Sequence, residues 1–274
     1  TIDESVNGGR VILTTSDAAR GIDLGAEGGY GVLSLSEDEL GLVTADVIQI
    51  GDDGNEGGIE VTAAVSLTDA GHDTAHLVTG SGDMSDGSAS ALQVDSLAIT
   101  SGGTVTLDGF NQVGTLALEH TGAEGSVTFT DFDDLEVGSV DGVDGISVYE
   151  MTLRAGGALS DDGETIIGDT LTLIAGTGID VSIDVVSVTA GNIAAGGISL
   201  VSTNEDGVLV TAEDLAAGTI SLTSDGAVTL GSVTTSGDVV IGAEGGVVNV
   251  ADNAGAVVTA DSLTISGAGS VGEI

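Results

Sequence analysis

The chain has 274 residues and a formal net charge of −41, with 44 acidic residues against 3 arginines and no lysine. This balance excludes nucleic-acid binding and docking on an anionic membrane surface, because both need clustered cations. Hydrophobic residues make up 41% of the chain and aromatic residues 2%, while cysteine and proline are absent. The chain therefore has enough small apolar residues for a core, no disulfide or thiolate metal site, and every backbone N–H free to join a β-ladder.

Short apolar runs separated by turns rich in Gly, Asp and Ser occupy residues 1–60. Within each run the apolar residues lie close together or two apart, which predicts short β-strands. Ser36 followed by Glu39 has the spacing of a helix capping box. The segment is too short for a regular helix before Val43, so we interpret it as a corner. The predicted strands are Val11–Leu13, Gly21–Leu24, Val32–Leu35, Val47–Ile50 and Ile59–Val61.

Residues 66–92 interrupt this pattern. Small polar residues dominate there, and the apolar signal is reduced to Leu77 and Val78. We predict an irregular coil or a loop excursion in this segment.

A repeated phrase then appears between Val94 and Val137. The sequences VDSLAI, VGTLAL and FDDLEV have central leucines at Leu97, Leu116 and Leu135, which recur at a constant interval. Looser continuations follow at Met151–Leu153 and Leu171–Leu173, after one shorter and one slightly longer step. A period of about 19 residues built from short strands is typical of a solenoid whose coils each add one rung.

A second series of triplets lies between the leucine phrases. Val105–Leu107, Val127–Phe129 and Ile146–Val148 recur at intervals close to that of the leucines. In a strand the first and third residues of each triplet share one face and the middle residue points outward. Each coil is therefore predicted to contain at least two strands.

The C-terminal third has nearly the same spacing. Ile220, Val239 and Val257 recur at this interval, and so do Val228 and Val247. We predict a single parallel β-helix, or β-solenoid, over residues 1–274 with coils of about 19 residues. An antiparallel meander or sandwich is the alternative, and we disfavour it because the same phrase returns in every second strand.

Five stretches of the chain carry a resemblance to a known family. They are GGRVILTTSDAARGIDLG (8–25), LSLSEDELGLVTADVIQIGD (33–52), NQVGTLALEHTGAEGSVTFTDFDDLEVGSVDGVDGIS (111–147), MTLRAGGALS (151–160) and GGISLVSTNEDGVLV (196–210). These stretches resemble the repeat region of filamentous-haemagglutinin-like exoproteins, large bacterial surface proteins often exported by two-partner secretion. The resemblance implies a right-handed parallel β-helix, an extracellular or cell-surface location, and a stalk or adhesive-filament role. The secretion domain of that family contains proline motifs, so we expect it to lie outside this proline-free sequence.

The basic residues and histidines indicate no active site. Arg10, Arg20 and Arg154 are dispersed, so we expect each to form local ion pairs, and an acidic glycan substrate is disfavoured. His72 and His76 have a spacing that binds metal from a helix. Their surroundings are loop-like, however, and the glutamate of a zinc-protease motif is absent, so we interpret His72 and His76 as residues of a solvated loop. The third histidine is His120.

Acidic clusters are frequent, but none matches a twelve-residue calcium loop or a glycine-rich calcium β-roll. Weak calcium binding where turn carboxylates stack between coils is consistent with the pattern, and no residue is singled out as a catalytic, cofactor or metal ligand. No serine-nucleophile elbow is present. The clusters are Asp52–Asp53, Asp131, Asp133–Asp134, Asp141, Asp144 and Asp161–Asp162.

Three functional hypotheses follow. The first is a non-enzymatic structural and adhesive extracellular rod whose copies associate end to end or laterally, as in a fibre, and which contacts surface glycans or proteins of a host or neighbouring cell. The second is a calcium-bridged surface-layer or biofilm-matrix component. The third, which the shortage of cations disfavours, is a β-helical glycan-active enzyme.

Overall fold

The structure of the chain, a computed structural model, describes residues 2–3, 9–25, 31–87, 91–123, 125–249, 257–267, 269 and 271. The chain divides into two compact units, Thr1–Tyr149 and Glu150–Ile274. Within the described residues no helix is long and apolar enough to cross a membrane.

The first unit consists almost entirely of short strands joined by turns. Its elements are β1 (Ile2–Asp3), β2 (Arg10–Leu13), β3 (Ile22–Leu24), β4 (Leu33–Leu35), α1 (Glu37–Leu40), β5 (Val43–Thr44), β6 (Val47–Gly51), β7 (Ile59–Val61), β8 (Val65–Ser66), β9 (Thr74–Thr79), β10 (Met84–Asp86), β11 (Leu92–Ser101), β12 (Val105–His120), β13 (Ser126–Asp131), β14 (Leu135–Val137), β15 (Ser139–Val140), β16 (Val143–Asp144) and β17 (Ile146–Ser147).

The second unit has fewer and longer strands. They are β18 (Glu150–Ala155), β19 (Leu159–Ala175), β20 (Ile179–Asn192), β21 (Ile198–Ser202), β22 (Val208–Asp214), β23 (Ile220–Ser224), β24 (Val228–Thr235), β25 (Asp238–Ala243), β26 (Val247–Asn249), β27 (Val258–Thr259) and β28 (Ser262–Ser266).

Strands of successive coils pair in parallel, which confirms the predicted β-solenoid. In the first unit β2, β6, β9, β11 and β12 stack in that order, and one inward row runs from Val11 through Ile48, Ala75 and Leu97 to Leu116. All five side chains are buried. Burial of one such Leu or Ile side chain contributes about 1.5–3 kcal/mol. Because each coil covers the next, the core extends along the stack.

The second unit repeats the arrangement. Ile179 pairs with Ile198, which pairs with Ile220, and Ile220 pairs with Val239. These four inward side chains are 0–3% exposed. The predicted step between Met151–Leu153 and Leu171–Leu173 is confirmed, because the two triplets pair residue for residue.

The pairings described within each unit are parallel, apart from the hairpin of β15 with β16. The antiparallel meander is therefore excluded for these strands. Turns of the solenoid recur about every 22 residues. The predicted coil length of about 19 residues holds between the paired residues Leu97 and Leu116. Other coils are longer because their corners contain more residues.

Three of the predicted alignments are wrong in register, two of them near the middle of the chain. Leu116 pairs with Val137 and not with Leu135. Ile146 pairs with Leu118, so it continues the leucine strand and not the Val105–Val127 series. The Val105–Val127 pair itself is confirmed.

The third error occurs near the end of the chain. Val239 pairs with Leu263 and not with Val257. The predicted pair of Val228 with Val247 is confirmed. The corners differ in length between coils. For this reason some residues that lie about one predicted period apart in the sequence do not pair with each other.

The segment 66–92, predicted as an irregular coil or loop excursion, contains two strands in register with their neighbours. β9 pairs with β6 and β11, and β10 pairs with β7 and β12. Within the segment, the turn after β8 buries Leu67 and His72. That residues 1–274 form a single solenoid region stays a prediction.

The corner predicted at Ser36–Leu40 is a single helical turn, α1, with a complete capping box. The Ser36 hydroxyl accepts a hydrogen bond from the Glu39 N–H, and the Glu39 carboxylate accepts one from the Ser36 N–H at 3.0 Å. The Ser36 hydrogen bonds lower the pKa of Glu39. The turn buries Leu40, which explains the apolar residue at its end.

Candidate functional site beneath the hairpin of residues 138–145

An insertion interrupts one strand of the solenoid opposite a single residue. Val137 pairs with Leu116 and Ile146 pairs with Leu118, so the whole of 138–145 stands opposite Ala117. The Gly138 N–H donates to the Leu116 carbonyl at 3.1 Å, and the Leu118 N–H donates to the Gly145 carbonyl at 2.9 Å. These bonds continue the ladder on both sides, so the insertion leaves the stack without breaking it.

The inserted residues form a β-hairpin of β15 with β16. Val140 pairs with Val143, and the two residues between them have positive φ, 54° at Asp141 and 84° at Gly142. Two consecutive positive φ values are the mark of a type I′ turn, for which Asp-Gly is a preferred sequence. This Asp-Gly between two valines was the available sequence signal for the hairpin, and the prediction of regular coils missed it.

The hairpin packs on the outward face of the coils through a small apolar contact. Val140 and Val143 pack with Ala98 and Ala117, and all four are buried. Ala98 and Ala117 pair with each other at an outward position of β11 and β12. Alanine is short enough for a second layer of backbone to lie over it, so the outward face becomes buried here.

Beyond the alanines, the tip of the hairpin meets a polar cluster. The Asp141 carboxylate accepts a hydrogen bond from His76 Nδ1 at 2.7 Å and pairs with the Arg10 guanidinium. His76 Nε2 lies 3.0 Å from the Thr100 hydroxyl oxygen. His76 precedes Ala98 in the same outward row. The hairpin therefore covers one outward row with the two valines that flank its turn and with the aspartate in the turn.

Arg10 and Gln49 complete the cluster. Arg10 Nη1 donates to Gln49 Oε1 at 2.8 Å, and Gln49 Nε2 donates to the Gly51 carbonyl at 3.0 Å. Gln49 pairs with His76 in the register of β6 and β9. The cluster thus joins side chains from β2, β6, β9 and β11 to the hairpin tip.

Burial determines the charge state of His76. Desolvation lowers the pKa of His76, and the neighbouring Arg10 charge lowers it further, against the opposing effect of Asp141. His76 is therefore neutral at neutral pH. Because a carboxylate paired with arginine accepts hydrogen bonds, Nδ1 carries the proton and Nε2 accepts the Thr100 hydroxyl.

Comparison of the chain with protein-family models, curated proteins and solved structures finds no match.

The order Asp141, His76, Thr100 is also that of a hydrolase triad, with an acid that orients a base and a base that contacts a hydroxyl. Acyl transfer further needs free N–H donors for an oxyanion. Thr100 lies in β11, which pairs with β9 on one side and with β12 on the other. Both ladders engage the amides beside Thr100. We call the cluster of Arg10, Gln49, His76, Thr100 and Asp141 the clasp.

His72 and His76, which have a metal-binding spacing in the sequence, are both buried, so the predicted solvated loop is wrong for them. The two side chains face different partners. His72 Nε2 lies 3.2 Å from the Leu40 carbonyl beneath α1, whereas His76 belongs to the clasp. Nowhere in the part of the chain that the structure describes do three or more His, Cys, Asp or Glu side chains group in a way that could hold a metal. His120 Nε2 lies 2.9 Å from the Gly103 carbonyl at a corner between coils.

The three arginines have separate environments. Arg10 forms an ion pair, as expected. Arg20 Nη2 donates to the Val32 carbonyl at 2.7 Å, so it bonds backbone oxygen. Arg154 occupies an exposed position of β18.

One acidic residue from the predicted clusters is buried in the core. Asp131 is 1% exposed, and its carboxylate accepts N–H bonds from Val113 at 2.7 Å and Asp133 at 3.0 Å. Burial, together with the neighbouring Asp133 carboxylate, raises the pKa of Asp131 to about 7. Asp131 pairs with buried Asn111.

A second polar contact continues from Asn111 to the preceding coil. Asn111 Nδ2 donates to Asp86 at 3.0 Å, and Asn111 Oδ1 accepts the Leu92 N–H at 2.9 Å. Burial raises the pKa of Asp86, against the hydrogen bonds that it accepts. Asp86, Asn111 and Asp131 therefore hold the corners of successive coils together, and sequence reasoning identified Asp131 only as part of an acidic cluster.

Proposed function

We propose that the chain is a non-enzymatic structural segment of an extracellular β-solenoid rod. The observation that carries this proposal is the clasp, in which Asp141 reaches Arg10 and His76 and ties the hairpin across stacked coils. A solenoid coil contacts only its neighbours, so a coil at a free end opens easily. A connection that crosses several coils opposes such opening, which suits a rod under mechanical or proteolytic load.

The surface charge supports an extracellular, adhesive setting for this rod. A net charge of −41 keeps such a surface soluble and hydrated. We infer a relationship to filamentous-haemagglutinin-like bacterial exoproteins from the sequence resemblance described above. In this proposal the partners are surface glycans or proteins and other copies of the chain.

One exposed aromatic pair supports a binding role for the surface. Phe110 and Phe132 are 61% and 57% exposed, and their rings lie 6.2 Å apart at an interplanar angle of 69°. They stand on neighbouring coils, because the Phe132 N–H donates to the Asn111 carbonyl at 2.8 Å. Exposed aromatic rings in a chain with 2% aromatic residues are suited to contact with a partner.

End-to-end association is supported by the last described strand. Leu263 of β28 continues the inward row of Val239, yet it is 41% exposed whereas Val239 is 0% exposed. Among the described residues, β28 pairs only with β25. In our proposal a coil of another copy packs on this partly exposed inward row.

Electron microscopy of the purified chain over a range of concentrations tests this association. We expect filaments that lengthen with concentration, and we expect Leu263→Asp to abolish them. Thr264→Asp is the matched control, because Thr264 is the exposed outward neighbour in the same strand. Discrete short particles at high concentration would overturn the fibre proposal.

The order of Asp141, His76 and Thr100 favours one competing function, that of a hydrolase. A screen of chromogenic esters and neutral glycans, run with the parent chain and with Thr100→Ala, separates the two. The structural proposal expects no turnover above background in either protein. Turnover that disappears with Thr100→Ala would establish the enzyme and refute the proposal.

A further inference from the structure

The outward surface of the first unit has an open groove near the exposed pair of Phe110 and Phe132. The groove crosses β11, β12 and the segment between β13 and β14, which belong to successive coils. Its volume is about 300 Å³, at the lower end of the range of pockets that hold a small ligand. It therefore has room for one side chain of a partner. Its polar lining consists of Gln93, Asp95, Gln112, Asp133 and Asp134.

The aromatic pair borders this groove on two coils. Buried and outward residues alternate in this part of β12, and Phe110 and Gln112 occupy successive outward positions. On the next coil Phe132 directly precedes Asp133. Each ring therefore stands next to a polar residue of the groove, within reach of the same ligand.

The charge of the groove indicates which ligand it favours. Asp95, Asp133 and Asp134 are exposed, and no arginine is among the described residues that line the groove. Because like charges repel, an anionic glycan or an acidic peptide is disfavoured, and a neutral ligand gains nothing from the carboxylates. A cationic group is the complementary ligand.

The two rings favour the same kind of ligand. The face of an aromatic ring carries negative potential, and a cation that lies over this face is attracted to it. Phe110 and Phe132 pack edge to face, so each ring supports the other, and more than half of each side chain stays accessible. Arginine suits this surface better than lysine, because its planar guanidinium stacks on aromatic rings and also donates several hydrogen bonds to carboxylate and amide oxygens.

We propose that Phe110, Phe132 and the adjoining groove bind an arginine side chain of a partner protein. The guanidinium lies against the rings and donates hydrogen bonds to the carboxylate and amide oxygens of the groove. This inference rests on the proposed binding role of the aromatic pair, and it specifies the partner as a protein with an exposed arginine. A single contact of this kind at an exposed site is weak, so the test needs a method that detects weak binding.

Nuclear magnetic resonance of the full chain with labelled phenylalanine and tyrosine rings tests the proposal. The probe is the peptide acetyl-glycyl-arginyl-glycine amide. The control ligand is the same peptide with citrulline, in which a neutral urea group replaces the guanidinium. We expect the arginine peptide to shift the ring signals of Phe110 and Phe132, and the citrulline peptide to shift them much less. Phe129 is the internal control whose signal should not move, because it is 0% exposed.

Variants measure the part that each ring plays. Leucine keeps an apolar side chain and removes the aromatic face, so Phe110→Leu and Phe132→Leu should each weaken binding about two- to fivefold, followed by the signal of the remaining ring. Tyr149→Leu should leave binding unchanged, because Tyr149 is an exposed ring of the same unit that does not line the groove. Added sodium chloride should weaken binding, since part of the attraction is between charges at the surface.

Several results would overturn the proposal. Equal shifts with the two peptides would show that the charge is not recognised. Shifts of Tyr149 as large as those of Phe110 and Phe132 would show that the peptide follows the general negative charge of the chain. A panel of neutral oligosaccharides separates the two levels of the inference. Shifts of the pair with an oligosaccharide and not with the arginine peptide would overturn the arginine partner and keep the binding role of the pair, whereas no shift with any probe would overturn both.

Discussion

Arg10 and Asp141 form an ion pair although 131 residues separate them in the sequence. The pair exists because β2, β6, β9, β11 and β12 stack in parallel and the hairpin of β15 and β16 folds back over them. Asp141 thereby reaches past Ala117 and Ala98 to contact His76 and Arg10. This contact makes the hairpin a clasp on the coil stack.

Asp141→Asn should destabilise the first unit. The substitution removes the ion pair with Arg10 and weakens the bond to His76, and Asp141 is 9% exposed at its side chain. Because Arg10 is partly exposed, we expect a loss of about 1–3 kcal/mol in the free energy of unfolding. Urea denaturation followed by circular dichroism measures it. Asp144→Asn is the control, because Asp144 is exposed and its carboxylate accepts a hydrogen bond from the Ser139 hydroxyl at the surface. It should cost less than about 1 kcal/mol, and equal losses would contradict the clasp.

Leu116→Asp should be far more damaging than Thr115→Asp. Leu116 lies in the inward row and is 0% exposed, whereas Thr115 is its partly exposed neighbour. A buried unpaired carboxylate costs several kcal/mol, and a surface change costs about 0.5 kcal/mol. Thermal unfolding of the two variants provides the measurement. Similar melting temperatures would show that the register of β12 is wrong.

Asp131 should make stability fall as the pH rises. Its usual pKa is 3.8 and its pKa in the folded chain is about 7. Between these values the folded state binds a proton that the unfolded state has released, so the free energy of unfolding decreases with increasing pH. This difference in pKa corresponds to a change of at most roughly 4 kcal/mol in the free energy of unfolding.

The variant Asp131→Asn isolates this effect, because the other acidic residues are common to both proteins. From pH 4 to pH 8 we expect the variant to gain stability relative to the parent chain by roughly 2–4 kcal/mol. Urea denaturation at several pH values provides the comparison. A difference that does not change with pH would mean that Asp131 keeps an ordinary pKa.

His76 should have the opposite pH dependence on the acidic side of neutrality. Its pKa is lowered from the usual 6.5. Below pH 6.5 the unfolded chain takes up a proton that the folded chain does not, so stability falls as the pH decreases. We expect His76→Gln to reduce this decrease between pH 7 and pH 5.5. A parallel pair of profiles for parent and variant would contradict a buried neutral His76.

Gly51→Ala should be more destabilising than Gly71→Ala. Both glycines have positive φ, 84° and 95°, so both substitutions carry the same kind of backbone strain of about 1 kcal/mol. At Gly51 the new Cβ would in addition overlap the Val78 carbonyl oxygen of the next coil, whereas at Gly71 nothing lies within 4 Å. The difference in melting temperature therefore measures the close approach of the coils. Equal shifts would show that conformational strain alone is responsible.

Much of the fold follows from local sequence, because alternation of apolar and polar residues is a property of each strand. The pairs Leu97–Leu116, Val105–Val127 and Val228–Val247 could be predicted from their spacing. The capping box at Ser36 was also visible, since it needs only residues three apart. The three strand pairs follow the repeat that the sequence displays, and the capping box follows from residues that are close in the sequence.

The tertiary structure was needed wherever corners differ in length. Leu116 pairs with Val137 and Leu118 with Ile146, because the hairpin of 138–145 occupies the place of one residue between them. The meeting of Asp141 with Arg10, and of Asn192 with Asp214, depends on how many residues each intervening corner contains. Alternation with a period of two determines which face a side chain takes within a strand. Alternation carries no information about corner length. Only the stacking of the coils in the folded chain therefore shows that these polar residues meet.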